Sequence, residues 1–201
     1  DETDVADYPL LDINETPGKL VATKYPMIGQ KSEKPKVGIY SLTTGELFFI
    51  TPKNHADDYL TNLAFTPDEK YILIAELNRG QNDMNLNLYE TSSGKFVRTL
   101  FNEKNPKWVE PEHPAFFPSP ASSNFVWISE QDGFNNLYYY SIDGKLIKKL
   151  TENKFVTKSI VSSINKGKEI VFCATGESPL DNKFYAVSLD GKQRLITITS
   201  G

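Results

Sequence analysis

Apolar and polar residues alternate along most of this chain with the short period of β-strands, and the alternation is interrupted at regular intervals by glycine turns. Between Ser129 and Leu150 the pattern is most legible. Asp132-Gly133 turns the chain, Asn136–Ser141 supplies three tyrosines suited to a half-buried strand, and Ile142-Asp143-Gly144-Lys145 reverses it into Lys145–Leu150. The same hairpin text recurs: Leu86–Glu90 and Phe96–Phe101 flank Gly94, Val37–Ser41 and Glu46–Ile50 flank Gly45, and Phe184–Ser188 and Gln193–Ile198 flank Gly191. The four turn glycines fall 49, 50 and 47 residues apart. Repeats of that length, each holding about four strands, are the signature of a β-propeller with four-stranded blades.

In front of each later hairpin two more strands are expected. They are Tyr59–Phe65 and Tyr71–Leu77, then His113–Phe117 and Asn124–Ser129, then Phe155–Ile164 and Lys168–Ala174. Tyr71-Ile-Leu-Ile-Ala75 is apolar at consecutive positions, as a strand covered on both faces must be. Pro67 suits the second position of the turn Thr66–Lys70, where its ring pre-sets φ. The polar segments Asn78–Asn82, Glu130–Gly133 and Thr175–Pro179 follow the second strand of each unit and read as structural punctuation, with Asn and Asp side chains satisfying turn amides.

The fold class is thus all-β: a partial propeller of about three complete blades plus an outer hairpin of another, with units at about 36–51, 59–101, 113–151 and 155–199. A closed propeller needs at least four blades, so the chain reads as a piece of a larger one whose two ends look cut. Residues 1–35 break the pattern. Tyr8-Pro9, Pro17-Gly18, Tyr25-Pro26 and Gly29 mark an extended arm with one short strand expected at Lys19–Lys24, because proline fixes φ and removes a backbone donor.

Composition narrows the function. With 201 residues, a net charge of −4 and 22 Lys and Arg spread along the chain, there is no basic footprint for nucleic acid. No apolar run approaches the roughly 18 residues of a membrane span, and the first ten residues are acidic rather than signal-like. Cys173 stands alone in a strand and reads as a small core hydrophobe. Of the two histidines, His55 lies beside Asp57 and Asp58 without a ligand spacing that defines a metal site, and no Gly-x-Ser-x-Gly elbow or phosphate-cradling loop is present. Neither a cofactor nor a metal is expected.

One connector carries candidate chemistry. Asn105–Pro114 joins two repeats and holds Trp108, Glu110, Glu112 and His113 among three prolines. Trp108 reads either as a recognition aromatic at the rim of the channel or as a plug between blades.

Several ordered motifs together resemble one family. Ser129-Glu-Gln-Asp-Gly-Phe-Asn-Asn-Leu-Tyr138, Asp143-Gly-Lys-Leu-Ile147 and Leu150-Thr151 are similar to a stretch of the propeller in the dipeptidyl peptidase IV family, of the prolyl oligopeptidase class of serine peptidases. Leu77–Asn82, Tyr25–Gly29, Val37–Tyr40 and Ala174–Leu180 add landmarks in the family's order. The resemblance implies the later half of an eight-bladed propeller over an α/β-hydrolase domain, in enzymes that release dipeptides with Pro or Ala second from peptide N-termini. The family's catalytic residues belong to that hydrolase domain, and its amine-anchoring Glu-Glu pair would lie before residue 1, so no catalytic residue is expected in this chain. The propeller would gate and position the peptide against its own hydrolase domain.

Two further roles follow from the resemblance. The family's arm reaches a second subunit, and Tyr8, Pro9, Tyr25, Pro26 and Gly29 match its elements, which implies a homodimer. After Trp-Val some members place a Phe-Arg pair in the extended substrate site; here Trp108-Val109 is followed by Glu110-Pro-Glu-His113, so Trp108, Val109 and Glu110 are the substrate-side candidates. The family also implies a periplasmic or extracellular location. The alternative is a non-catalytic periplasmic propeller of the TolB type, an interaction scaffold, which Thr66–Ile74 also resembles. The arm argues against it, because such repeats are uniform.

Overall fold

A computed structural model of the chain describes residues 2–27, 29–32 and 34–197. It separates into two compact units, Asp1–Lys36 and Val37–Gly201.

In the first unit β1 (Asp7–Asp12) pairs antiparallel with β2 (Lys19–Lys24), from Asp7 opposite Lys24 to Asp12 opposite Lys19. The sequence pointed to β2 alone. β1 reads Asp-Tyr-Pro-Leu-Leu-Asp, which has no alternation and contains a proline that no ladder interior tolerates, yet a two-stranded ribbon is all edge and accommodates it. Tyr25 continues the ladder by donating its N–H to Ala6 O at 3.1 Å.

The second unit holds β3 (Gly38–Tyr40), β4 (Leu47–Phe49), β5 (Tyr59–Phe65), β6 (Tyr71–Leu77), β7 (Asp83–Glu90), β8 (Phe96–Lys104), β9 (Asn124–Ser129), β10 (Asn136–Ser141), β11 (Leu146–Lys149), β12 (Thr157–Ile164), β13 (Glu169–Ala174), β14 (Lys183–Ser188) and β15 (Gln193–Leu195). They form antiparallel meanders in chain order, β3-β4, β5-β6-β7-β8, β9-β10-β11 and β12-β13-β14-β15, with no helix among the described residues. Hence no helix among the described residues is long and apolar enough to cross a membrane. The last strand was expected to run to Ile198, which lies outside the described residues.

Three cores lie between successive sheets, and strand alternation decides which side chain enters which. Leu73, Ala75 and Leu77 of β6 pack with Phe125 and Trp127 of β9 and with Tyr138 and Tyr140 of β10. Ile72 and Ile74, the intervening residues of β6, face the other way with Ile50 and Tyr89. Likewise Val126 and Ile128 of β9 and Leu137 and Tyr139 of β10 pack with Ile170 and Phe172 of β13. β6, β9 and β10 are therefore covered on both faces, which is why β6 reads as continuously apolar, whereas β13 buries Ile170, Phe172 and Ala174 and leaves Val171 and Cys173 half-buried, so Cys173 is not the core residue its sequence suggested. A fully buried Leu or Phe contributes roughly 1.5–3 kcal/mol, so these three layers dominate the unit's stability. Sheets stacked in chain order in this way make an all-β partial propeller.

The repeated turn glycines have a second job beyond their positive φ. A Cβ on Gly94 (φ 66°) would sit 3.3 Å from Phe49 O, and one on Gly144 (φ 85°) only 1.9 Å from Leu100 O. The hairpin turn of one sheet thus abuts the outer strand of the sheet before it. Gly45, in the first hairpin, meets nothing nearer than the Tyr40 hydroxyl at 3.8 Å.

In the third sheet the strand expected over His113–Phe117 is reduced to a single bridge, Phe116 with Val126. Pro111, Pro114, Pro118 and Pro120 bracket it, and each removes an N–H that a longer ladder would use.

Candidate functional site

Where one sheet ends and the next begins, two of the connectors are fastened by buried polar side chains. Between the first hairpin and β5, Lys53 and Asn54 donate their N–H groups to the Glu76 carboxylate at 3.2 and 3.0 Å, and the Tyr89 hydroxyl donates to the same carboxylate. Burial, followed by that carboxylate, pushes the Tyr89 phenol well above its ordinary range. Between β11 and β12, Asn136 Oδ1 accepts from the Thr151 hydroxyl at 2.7 Å and from Asn153 N–H at 2.8 Å. These are structural clamps.

The crossing from β8 to the third sheet is different, because part of it stands free. Asn105 N–H donates to Asn82 O at 3.1 Å, and Val109 N–H to Gln81 O at 2.8 Å. Val109, 6% exposed, enters the core between the β5–β8 and β9–β11 sheets. Trp108 beside it is 54% exposed, with Lys107 Nζ 5.9 Å from its ring centroid. The plug is therefore Val109, and Trp108 presents an aromatic face to solvent. Adjacent side chains in an extended segment point oppositely, so sinking the valine obliges the tryptophan to project.

The rest of the connector lines the same edge. Glu110 is exposed, and Glu112 accepts a hydrogen bond from Asn135 Nδ2 at 3.3 Å and lies 3.9 Å from His113 Nε2. Asn135 in turn accepts from Thr157 N–H at 3.1 Å, tying this edge to β12. Trp108 and Glu110 thus face solvent on either side of the buried Val109.

Two contributors escaped the sequence reading. Glu103 extends from β8 across the seam to β9, where Trp127 Nε1–H donates to its carboxylate at 3.1 Å. Burial, with a smaller push from Glu130, raises the Glu103 carboxyl to about 7, against the Ser129 hydroxyl and the Trp127 N–H, which lower it. The signal was the strand period: Glu103 is two residues past Phe101, whose ring stacks on Tyr140 with centroids 4.5 Å apart, so both face the seam. The second is the Asn78–Asn82 loop, which holds the connector as well as reversing the chain. Nearby, burial and then Asp132 raise the Tyr138 phenol, whose hydroxyl donates to Asp132 at 2.8 Å; burial also lifts Tyr140 to about 12.

The remaining candidates lie elsewhere. In the first unit the Tyr8 and Tyr25 rings approach to 5.8 Å and remain solvent-exposed, Pro9 pairs with Ala22 inside β1, Pro26 follows at the end of the hairpin, and Gly29 adopts φ 79°. His55 accepts a backbone hydrogen bond from Asp58 at 3.2 Å, and burial raises the Asp58 carboxyl. Among the described residues no group of three or more His, Cys, Asp and Glu is placed to hold a metal ion.

The family model "Dipeptidyl peptidase IV (DPP IV) N-terminal region" matches residues 1–201. The "Probable dipeptidyl-aminopeptidase B" of Tuber melanosporum is 28% identical over 225 residues, covering 99% of this chain and 25% of that protein. Its namesake in Arthroderma gypseum is 30% identical, covering 85% of this chain and 20% of its own length. A Bacteroides ovatus protein described as "a putative dipeptidyl aminopeptidase IV" superposes with a TM-score of 0.81 at 32% identity, over 96% of this chain and 30% of that one. Dipeptidyl peptidase 4 of Porphyromonas gingivalis shares the fold, with a TM-score of 0.82 at 22% identity over the whole chain and 28% of its own. The chain spans a quarter or less of these two curated relatives. By its match from the first residue to the last, the chain belongs to the family of dipeptidyl peptidase IV N-terminal regions.

Proposed function

We propose that this chain forms part of the propeller of a serine-type dipeptidyl aminopeptidase, a hydrolase that removes X-Pro and X-Ala dipeptides from peptide N-termini. The observation that carries the reading is the family match across all of residues 1–201, joined by 32% identity to the Bacteroides ovatus protein. Chemistry then belongs to a hydrolase domain elsewhere in the protein, and this chain's work is to admit, orient and retain the peptide. The exposed Trp108 offers a flat apolar face that a peptide side chain can stack on, Val109 fixes its root, and Glu110 adds a carboxylate at the same rim.

Residues 1–35 act as an arm and residues 36–201 as the partial propeller, in units at about 36–51, 59–101, 113–151 and 155–199. The arm presents Tyr8, Pro9, Tyr25, Pro26 and Gly29 to a second copy, giving a homodimer. Exposed leucines on both of its strands support this, since paired strands with apolar faces in water favour a partner. The enzyme works in the periplasm or outside the cell.

The test uses the whole protein that contains this chain, incubated with Gly-Pro and Ala-Pro anilides. Anilide release should require a free N-terminal amine and should stop after treatment with a serine-reactive fluorophosphonate. Hydrolysis of N-acetylated substrate at the same rate, or no dipeptide release at all, contradicts the reading. For the arm, sedimentation of Tyr8→Ala and Tyr25→Ala should show a dimer weakened toward monomer; an unchanged dimer assigns the interface elsewhere.

A further inference from the structure

The loop between β6 and β7 is built more tightly than a reversal of chain requires. Asn78 Oδ1 accepts the N–H groups of Asn82 and Asp83 at 3.0 and 3.2 Å, while Asn78 Nδ2 donates to Asn82 Oδ1 at 2.8 Å. Asn78 O accepts from Gln81 N–H at 2.9 Å, and Asn78 N–H donates to Asp83 O at 3.0 Å. The neighbouring Arg79 guanidinium lies 4.2 Å from the centroid of the Tyr59 ring, pinning the loop to β5. Inside this clasp Gln81 is held at φ 52°, a conformation that a residue with a Cβ does not choose unaided.

That strained residue sits where the connector is caught. Gln81 O receives Val109 N–H, and Asn82 O receives Asn105 N–H. Two successive carbonyls thus grip the connector on either side of Pro106-Lys107-Trp108, and Trp108 projects from between them. Strain stored next to a functional element and maintained by surrounding bonds is the usual mark of pre-organisation.

We infer that Asn78 is a positioning residue for peptide binding: its carboxamide fixes the Gln81 and Asn82 carbonyls, these fix the connector, and the connector holds the Trp108 ring at the angle at which it meets the peptide. The inference rests on the reading that Trp108 touches the substrate. It makes no contact between Asn78 and the peptide necessary. Without the carboxamide, Gln81 relaxes toward negative φ, its carbonyl turns from Val109, and the ring swings while the sheets stay paired.

The experiment uses the intact enzyme and compares KM for a peptide extending well past the cleavage site with KM for a dipeptidyl anilide. Asn78→Ala and Trp108→Ala should each raise that ratio roughly three- to tenfold, the scale of one lost aromatic contact. The double variant should be no worse than Trp108→Ala alone, because both changes remove one contact. Asn78→Asp keeps the acceptor for Asn82 and Asp83 and should recover most of the loss. If Asn78→Ala fails to fold, Gly80→Ala serves, since its methyl would press on Asn82 Oδ1 at 3.3 Å. The ¹⁹F resonance of 5-fluorotryptophan at position 108 should shift and sharpen in the Asn78 and Gly80 variants. An effect in Trp108→Ala with none in Asn78→Ala, or an additive double variant, overturns the positioning role while sparing the peptide reading. No effect in either single variant overturns both.

Discussion

The β1-β2 ribbon and the β10-β11 hairpin are made by the same backbone pairing, yet they differ in nearly everything else. β1 faces Leu11 and β2 faces Leu20 to solvent at 60% and 70% exposure, whereas Leu137 of β10 is fully buried. Hydrogen-bonded pairing alone therefore places strands and contributes little net stability, because water competes for each bond. Burial arrives only when a second sheet covers the face, and a ribbon of two strands is marginal without one. The same contrast separates Gly45, whose turn has open space, from Gly144, whose turn is jammed against Leu100.

A methyl group at the turns should separate the two regions most. Gly144→Ala puts a Cβ inside the Leu100 carbonyl and adds left-handed strain, and should destabilise the second unit by at least ~3 kcal/mol in urea unfolding, or prevent folding. Gly29→Ala shares the positive φ but meets nothing within 4 Å, so only the strain of about 1 kcal/mol remains. Equal losses would show that the turns are not interlocked.

Truncating leucines comes next. Leu137→Ala should lose about 2–5 kcal/mol by leaving a cavity between sheets, while Leu20→Ala should change monomer stability by less than about 0.5 kcal/mol.

Glu103 sharpens the contrast through pH. Its folded-state value of about 7 lies above the ordinary 4.5, so the protonated carboxyl favours the fold. That stability is fully present below about pH 4.5, declines as pH rises, and is gone once pH passes about 7. The span is worth at most about 3 kcal/mol. Glu103→Gln should remove this slope, so that wild type falls behind the variant above pH 7; parallel stability curves in urea from pH 5 to 8 would contradict it. Smallest is the exposed pair Lys31 with Asp4 in the first unit, 2.9 Å apart. Asp4→Asn should cost no more than ~0.5 kcal/mol, read in the same unfolding assay at low salt.

What the sequence disclosed was whatever repeats. Gly45, Gly94, Gly144 and Gly191 announced the hairpins, and the apolar run of β6 announced a sheet covered on both faces, because both demands are local; the similar run through Cys173 of β13 misled, since that strand is buried on one face only. What it concealed depends on neighbours far along the chain. No local pattern says that Gly144 needs its missing Cβ because of Leu100, that Asn78 holds a segment near Val109, or that the Glu103 carboxyl faces Trp127. The proline-rich approach to Phe116 misled in the other direction, since its apolar residues suggested a strand and its missing N–H groups allowed one bridge. At the site, Trp108 was identifiable by composition, but whether it or Val109 filled the core needed coordinates.

Hydrogen exchange, resolved by residue at a dilution where the protein is monomeric, separates the stacked sheets from the ribbon. Amides of Leu73, Tyr138 and Phe172, in the middle strands β6, β10 and β13, should exchange only through global unfolding, while those of Leu10 and Val21 in the β1-β2 ribbon should exchange through cheap local opening, orders of magnitude faster. Ribbon amides as slow as the middle-strand amides, or middle strands as fast as the ribbon, would contradict a structure whose stability resides in stacked sheets.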